Sequence, residues 1–114
     1  MRQETNRDRL EKLMAGLGRA AREPGRIYFT GGASAILLGW RDMTVDVDLK
    51  PDPEPVGIFD ALPRLKDEIE INIELAAPDD FIPALSGWQE RSAFIARHGL
   101  IDFHHYDFYA QALS

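Results

Sequence analysis

Apolar side chains recur at two different periods along this chain, and the alternation between them divides it into helices and strands. Leu10, Leu13, Met14, Leu17 and Ala21 fall at helical spacing, so residues 5–22 are predicted to form an amphipathic helix. Thr5, with Asp8 three residues on, fits its N-cap, and Pro24-Gly25 ends the segment. Arg26 to Thr30 is a short run rich in β-formers. It is followed by the pair Gly31-Gly32 and by Ala33 to Trp40, small and apolar enough for a buried helix packed on a sheet. Thr44 to Leu49 reads as the second strand, and Pro51, Pro53 and Pro55 make residues 50–55 a stiff, exposed loop.

Helical spacing returns at Ile58, Phe59, Leu62 and Leu65, with Pro63 expected to kink the helix or to start a second short one. From Ile69 to Leu75 the residues Glu70, Asn72 and Glu74 alternate with Ile71, Ile73 and Leu75, which predicts a third strand with one apolar face. Pro78-Asp79-Asp80 opens a turn that Pro83 closes. Residues 92–97 and 100–105, joined around His98-Gly99, pattern as a hairpin. Tyr106 to Ser114 begins another apolar helix that stops without a capping residue, so the expectation is one domain over 1–114, truncated before a C-terminal helical part.

Composition narrows the class. Hydrophobic residues make up 45% and charged residues 28% of 114, an ordinary globular balance. The absence of cysteine excludes disulfides, thiolate metal sites and a cysteine nucleophile. No apolar run approaches the roughly 20 residues of a membrane helix, and the polar start Met1-Arg2-Gln3-Glu4-Thr5 lacks the apolar stretch of a signal peptide, so a cytoplasmic protein with no membrane partner is expected. Net charge is -6, but residues 1–26 hold seven Arg/Lys against four Asp/Glu. The total argues against broad attraction to nucleic acid, and the N-terminal excess reads as a solvated helix face.

The chemistry concentrates between Gly31 and Leu49. In Val45-Asp46-Val47-Asp48-Leu49 both carboxylates share one face and the apolar side chains the other. Same-face Cα atoms two residues apart lie about 7 Å from one another, so two such acids can converge on one cation or bridge two held roughly 4 Å apart. Hard oxygen ligands select magnesium, with manganese as a substitute. A third acid from a neighbouring strand would complete the cluster. Glu74, flanked by Ile73 and Leu75, is the first candidate, as metal ligand or as the base for an attacking hydroxyl; Asp102 is second, then Asp79 or Asp80. Gly31 and Gly32 let backbone approach a phosphate closely. Ser34 either contacts that phosphate or caps the helix, Arg41 and Thr44 either touch phosphate or position the aspartate loop, with a surface salt bridge to Asp42 or another acid as the alternative for Arg41, and Lys50 is placed to reach nucleotide or simply ends the strand. His104 and His105, adjacent on a strand, face opposite ways and do not share an ion. Trp40, Trp88, Phe81 and Phe94 read as core.

A strand ending in Gly-Gly, a short helix, Arg-x-x-Thr-x-Asp-x-Asp-Leu with Asp46 fourteen positions on from Gly32, and a later acid-bearing strand together resemble the nucleotidyltransferase superfamily, the DNA polymerase beta-like group. The segments YFTGGASAILLGWRDMTVDVDL and INIELAAPDDFIP are similar to small proteins of the DUF6036 type, relatives of the AbiEii and MenT nucleotidyltransferase toxins. The resemblance spans residues 26–83. It implies an α+β fold, a central mixed sheet flanked by helices, with Asp46 and Asp48 as metal ligands. Gly31, Gly32 and Ser34 would hold a nucleoside triphosphate, and Glu74 would be the third acid. Many members carry Gly-Ser at the turn and Asp at the third position, which is where this chain departs.

The implied reaction transfers a nucleoside monophosphate from a triphosphate to a hydroxyl on RNA (tRNA) or protein, in a toxin–antitoxin setting with a partner protein encoded alongside. Two rivals stand beside it. One is a non-catalytic binding or regulatory module that keeps the fold; the other is a metal-dependent phosphohydrolase.

Overall fold

A computed structural model describes residues 4–53, 55–75 and 87–106. The fold is α+β, built on a five-stranded mixed sheet of order β3-β2-β1-β5-β4. Helix α1 (Arg7–Ala20) comes first and buries Leu10, Leu13, Met14 and Leu17, the stripe that its spacing predicts. Its N-cap is Asn6, whose side chain accepts from the Arg9 backbone N–H at 3.0 Å. Thr5 is not the cap. Its backbone N–H and C=O pair instead with Thr44, at 2.6 and 2.9 Å, a partner that local sequence does not reveal.

Strand β1 (Gly25–Thr30) occupies the middle of the sheet and runs straight into α2 (Gly31–Leu37), so Gly31-Gly32 forms the helix start rather than a separate turn. Strand β2 (Asp46–Pro51) pairs antiparallel with β1, Phe29 opposite Leu49 and Thr30 opposite Asp48. The expected proline loop therefore yields Lys50 and Pro51 to the strand, and Pro55 is buried rather than exposed. Pro51 is tolerated because β3 pairs only with residues 46–48, so among the described residues that stretch of β2 is paired on one side alone.

Helix α3 (Ile58–Ile69) runs unbroken through Pro63 and buries Ile58, Ala61, Leu62 and Leu65. Glu70 in the left-handed conformation, φ 58°, ends it. That cap shortens the third strand to β3 (Asn72–Glu74), parallel to β2; Ile71 and Ile73 are buried as the alternation requires, whereas Leu75 is half exposed. After the four-residue α4 (Trp88–Arg91), strands β4 (Phe94–His98) and β5 (Ile101–His105) form the expected hairpin, and β5 lies parallel to β1.

Helices α1, α2 and α3 pack on one face of the sheet, around Ile27, Phe29, Val47, Leu49, Ile73, Ile101 and Phe103. Each fully buried aliphatic side chain contributes roughly 1.5–3 kcal/mol. The other face carries the intervening residues, among them Asp46, Asp48, Lys50 and Glu74. Trp40 and Phe94, expected in the core, are 76% and 59% exposed, because Trp40 lies beyond α2 and Phe94 at the outer strand. The expected turn at Pro78-Asp79-Asp80 with Pro83, the side chains of Phe81 and Trp88, and the helix after Tyr106 lie outside the described residues.

Candidate functional site

Strand parity assembles the site. Val47 and Leu49 anchor β2 in the core, so Asp46 and Asp48 emerge on the face opposite α1, α2 and α3; Ile73 does the same for Asn72 and Glu74 in β3. The parallel register sets Asp46 beside Asn72 and Asp48 beside Glu74. Asn72 Nδ2 donates to Asp46 Oδ1 at 3.4 Å, and Asp48 and Glu74 share a side-chain hydrogen bond. Burial pushes the Asp48 carboxyl up to about 6, with the nearby charges of Glu74 and Asp46 adding to the shift.

The first helix turn closes on the same spot. Gly31 adopts φ +62°, and a Cβ built on it would lie 3.5 Å from Asp48 Oδ2, ordinary contact distance, so the glycine borders the carboxylate. At Gly32 a Cβ would overlap the Thr44 side chain and come within 3.4 Å of Arg41 Nη1. The loop carrying Arg41 and Thr44 therefore packs directly on Gly32. Thr44 is buried, and its hydroxyl donates to the Asp46 carbonyl at 3.2 Å. Lys50 lies one same-face step past Asp48, opposite Tyr28.

Gly31, Gly32, Arg41, Thr44, Asp46, Asp48 and Glu74 are thus brought to one corner of the sheet. Two expected residues are not. Ser34 is buried, and its hydroxyl engages His105 Nδ1 at 2.8 Å in the interior, so it points away from the phosphate role assigned to it. Asp102 sits two strands from β2 and is held by Arg97, whose guanidinium keeps that carboxyl below its usual range. Asp79 and Asp80 are outside the described residues. His104 stacks on Tyr28 on one face while His105 faces the helices, as strand parity requires.

The donor set, three carboxylates with hard oxygens, fits magnesium chemically. Their present rotamers do not: among the described residues no three His, Cys, Asp or Glu side chains are grouped to hold a metal ion. Asp48 and Glu74 face one another instead. Asp46 and Glu74 are both solvent-exposed, so turning them toward a common ion requires no repacking. A cavity of about 440 Å³ opens elsewhere, at the start of β1, between Arg26, Pro53, Leu100 and Asp102.

Sequence reasoning missed Asn72 and His105. The alternation already sets Asn72 on the face of Glu74; nothing local marks His105, whose partner is 71 residues away. Compared with known protein families, characterised proteins and solved structures, the chain matches none.

Proposed function

We propose that this protein is a metal-dependent nucleotidyltransferase with the DNA polymerase beta-like fold. It would move a nucleoside monophosphate from a triphosphate to a hydroxyl on RNA or protein. The observation that carries the reading is the pairing of Asp48 with Glu74, beside Asp46, under the exposed backbone of Gly31. Asp48, raised to about 6 beside the charges of Glu74 and Asp46, marks a site whose electrostatics favour a cation.

Asp46, Asp48 and Glu74 would hold magnesium, or manganese in its place, and the ion supplies positive charge against the triphosphate. Gly31 and Gly32 offer backbone to the phosphate oxygens, and Arg41, stationed at Gly32, adds a cationic group. The acceptor oxygen attacks the α-phosphorus in line; its bond to phosphorus forms as the bond to pyrophosphate breaks. Glu74 takes the acceptor proton. Positioning and charge neutralisation carry the rate. A toxin role with a cognate partner protein is consistent with the resemblance of residues 26–83.

The binding-module reading draws on one observation, the ungrouped side chains with Asp48 hydrogen-bonded to Glu74. Incubation with radiolabelled nucleoside triphosphates, magnesium and total cellular RNA or protein separates the two. The account expects label transfer that falls about 100-fold or more in Asp46→Ala/Asp48→Ala and in Glu74→Gln, and persists in Asp102→Asn. Transfer surviving the double substitution overturns the site; triphosphate consumption with no labelled acceptor points to a phosphohydrolase.

A further inference from the structure

Helix α2 has little of its own to hold it. It spans seven residues, opens on two glycines, and its N-cap Thr30 makes no side-chain capping bond. Helices this short are unstable alone, and glycine is among the weakest helix formers. Yet its first residue, Gly31, borders the Asp48 carboxylate: a Cβ built there would stand 3.5 Å from Oδ2. Something must fix that turn.

Ser34 sits one turn in, and its hydroxyl is 2.8 Å from Nδ1 of His105, the last residue of β5. Both side chains are buried, so the contact forms away from solvent and its loss is costly. Burial, helped by neighbouring His104, keeps the His105 ring below its ordinary pKa. The neutral imidazole places a hydrogen-bonding nitrogen under the helix without a charge.

We propose that His105 is a positioning residue: through Ser34 it holds the opening turn of α2, and with it the Gly31 backbone, beside the Asp48 carboxylate. The inference rests on reading that corner as the nucleotide site. Without the contact α2 frays from its first turn, and the backbone edge offered to the triphosphate is lost while the acids keep their places on β2 and β3.

Amide hydrogen exchange at Ala35–Leu38, whose N–H groups bond the carbonyls of that turn, reads the contact directly. Ser34→Ala and His105→Leu should each speed exchange there about tenfold, leaving α1 and β1 unchanged. His105→Asn, whose amide falls near the Nδ1 position, should stay within about threefold of the parent. Alanine is the better helix former, so a purely local effect of Ser34→Ala would slow exchange instead. Magnesium–ATP affinity should weaken about fivefold in Ser34→Ala, with manganese affinity unaltered. Exchange at 35–38 that is unchanged, slowed, or raised equally throughout the chain overturns the inference. If His105→Leu does not fold, Ser34→Ala decides alone. If the parent protein binds no triphosphate, the nucleotidyltransferase reading falls while the exchange result still settles the role of His105.

Discussion

At Asp48 a half-buried carboxyl faces Glu74 across the strand pair and stands two residues from Asp46. Its folded-state pKa of about 6 exceeds the ordinary 3.8, so the native chain binds this proton more tightly than the unfolded one. Stability from this group is therefore full below pH 4 and declines as pH rises toward 6 and beyond. A shift of two pH units corresponds to about 3 kcal/mol, and solvent screening of a partly exposed group reduces that to about 1 kcal/mol. Asp48→Asn removes the penalty. We expect it to stabilise the protein by about 1 kcal/mol at pH 7.5 and by almost nothing at pH 4. Urea midpoints at the two pH values check this; equal shifts, or destabilisation at pH 7.5, would contradict it.

Between elements, two glycines of α1 make opposite predictions. A Cβ on Gly16 meets only the movable Leu65 side chain, whereas one on Gly18 falls 2.5 Å from the His98 carbonyl oxygen, backbone that cannot step aside. Alanine ordinarily gains a helix up to about 1 kcal/mol over glycine. Gly16→Ala should therefore be close to neutral, and Gly18→Ala should cost about 1–3 kcal/mol from overpacking. Thermal unfolding of the two variants measures the contrast, and equal midpoints would show that α1 does not pack on the β4–β5 turn as described. Gly18 carries no such mark in the sequence, because its constraint comes from a hairpin 80 residues on. The same division holds elsewhere. The stripe of α1, the same-face pair Asp46 and Asp48, the parity of Glu74 and the β4–β5 hairpin were legible, since each depends on local periodicity. Long-range partners were not: Thr5 is drawn to Thr44, Ser34 to His105 and Asp102 to Arg97, and each left the role its neighbours implied. The start of β3 is not marked in the sequence, because Glu70 accepts a left-handed backbone that glycine or asparagine normally marks.

Across the whole molecule, three helices shield one face of the sheet and the acids gather on the other, near the edge formed by β3. Perturbed groups act in opposite directions on acidification. Asp48 gains its proton favourably in the fold, while His105, held neutral, loses stability as pH falls below its ordinary 6.5. The carboxylates around Asp48 make a divalent cation the natural counterweight of the acid corner. Manganese binding followed by electron paramagnetic resonance at pH 7.5, with a non-hydrolysable triphosphate present, tests this most directly. The account predicts saturable binding by the native protein that is abolished in both Asp46→Ala/Asp48→Ala and Glu74→Gln. Binding that persists in either variant, or is absent from the native protein, would contradict it.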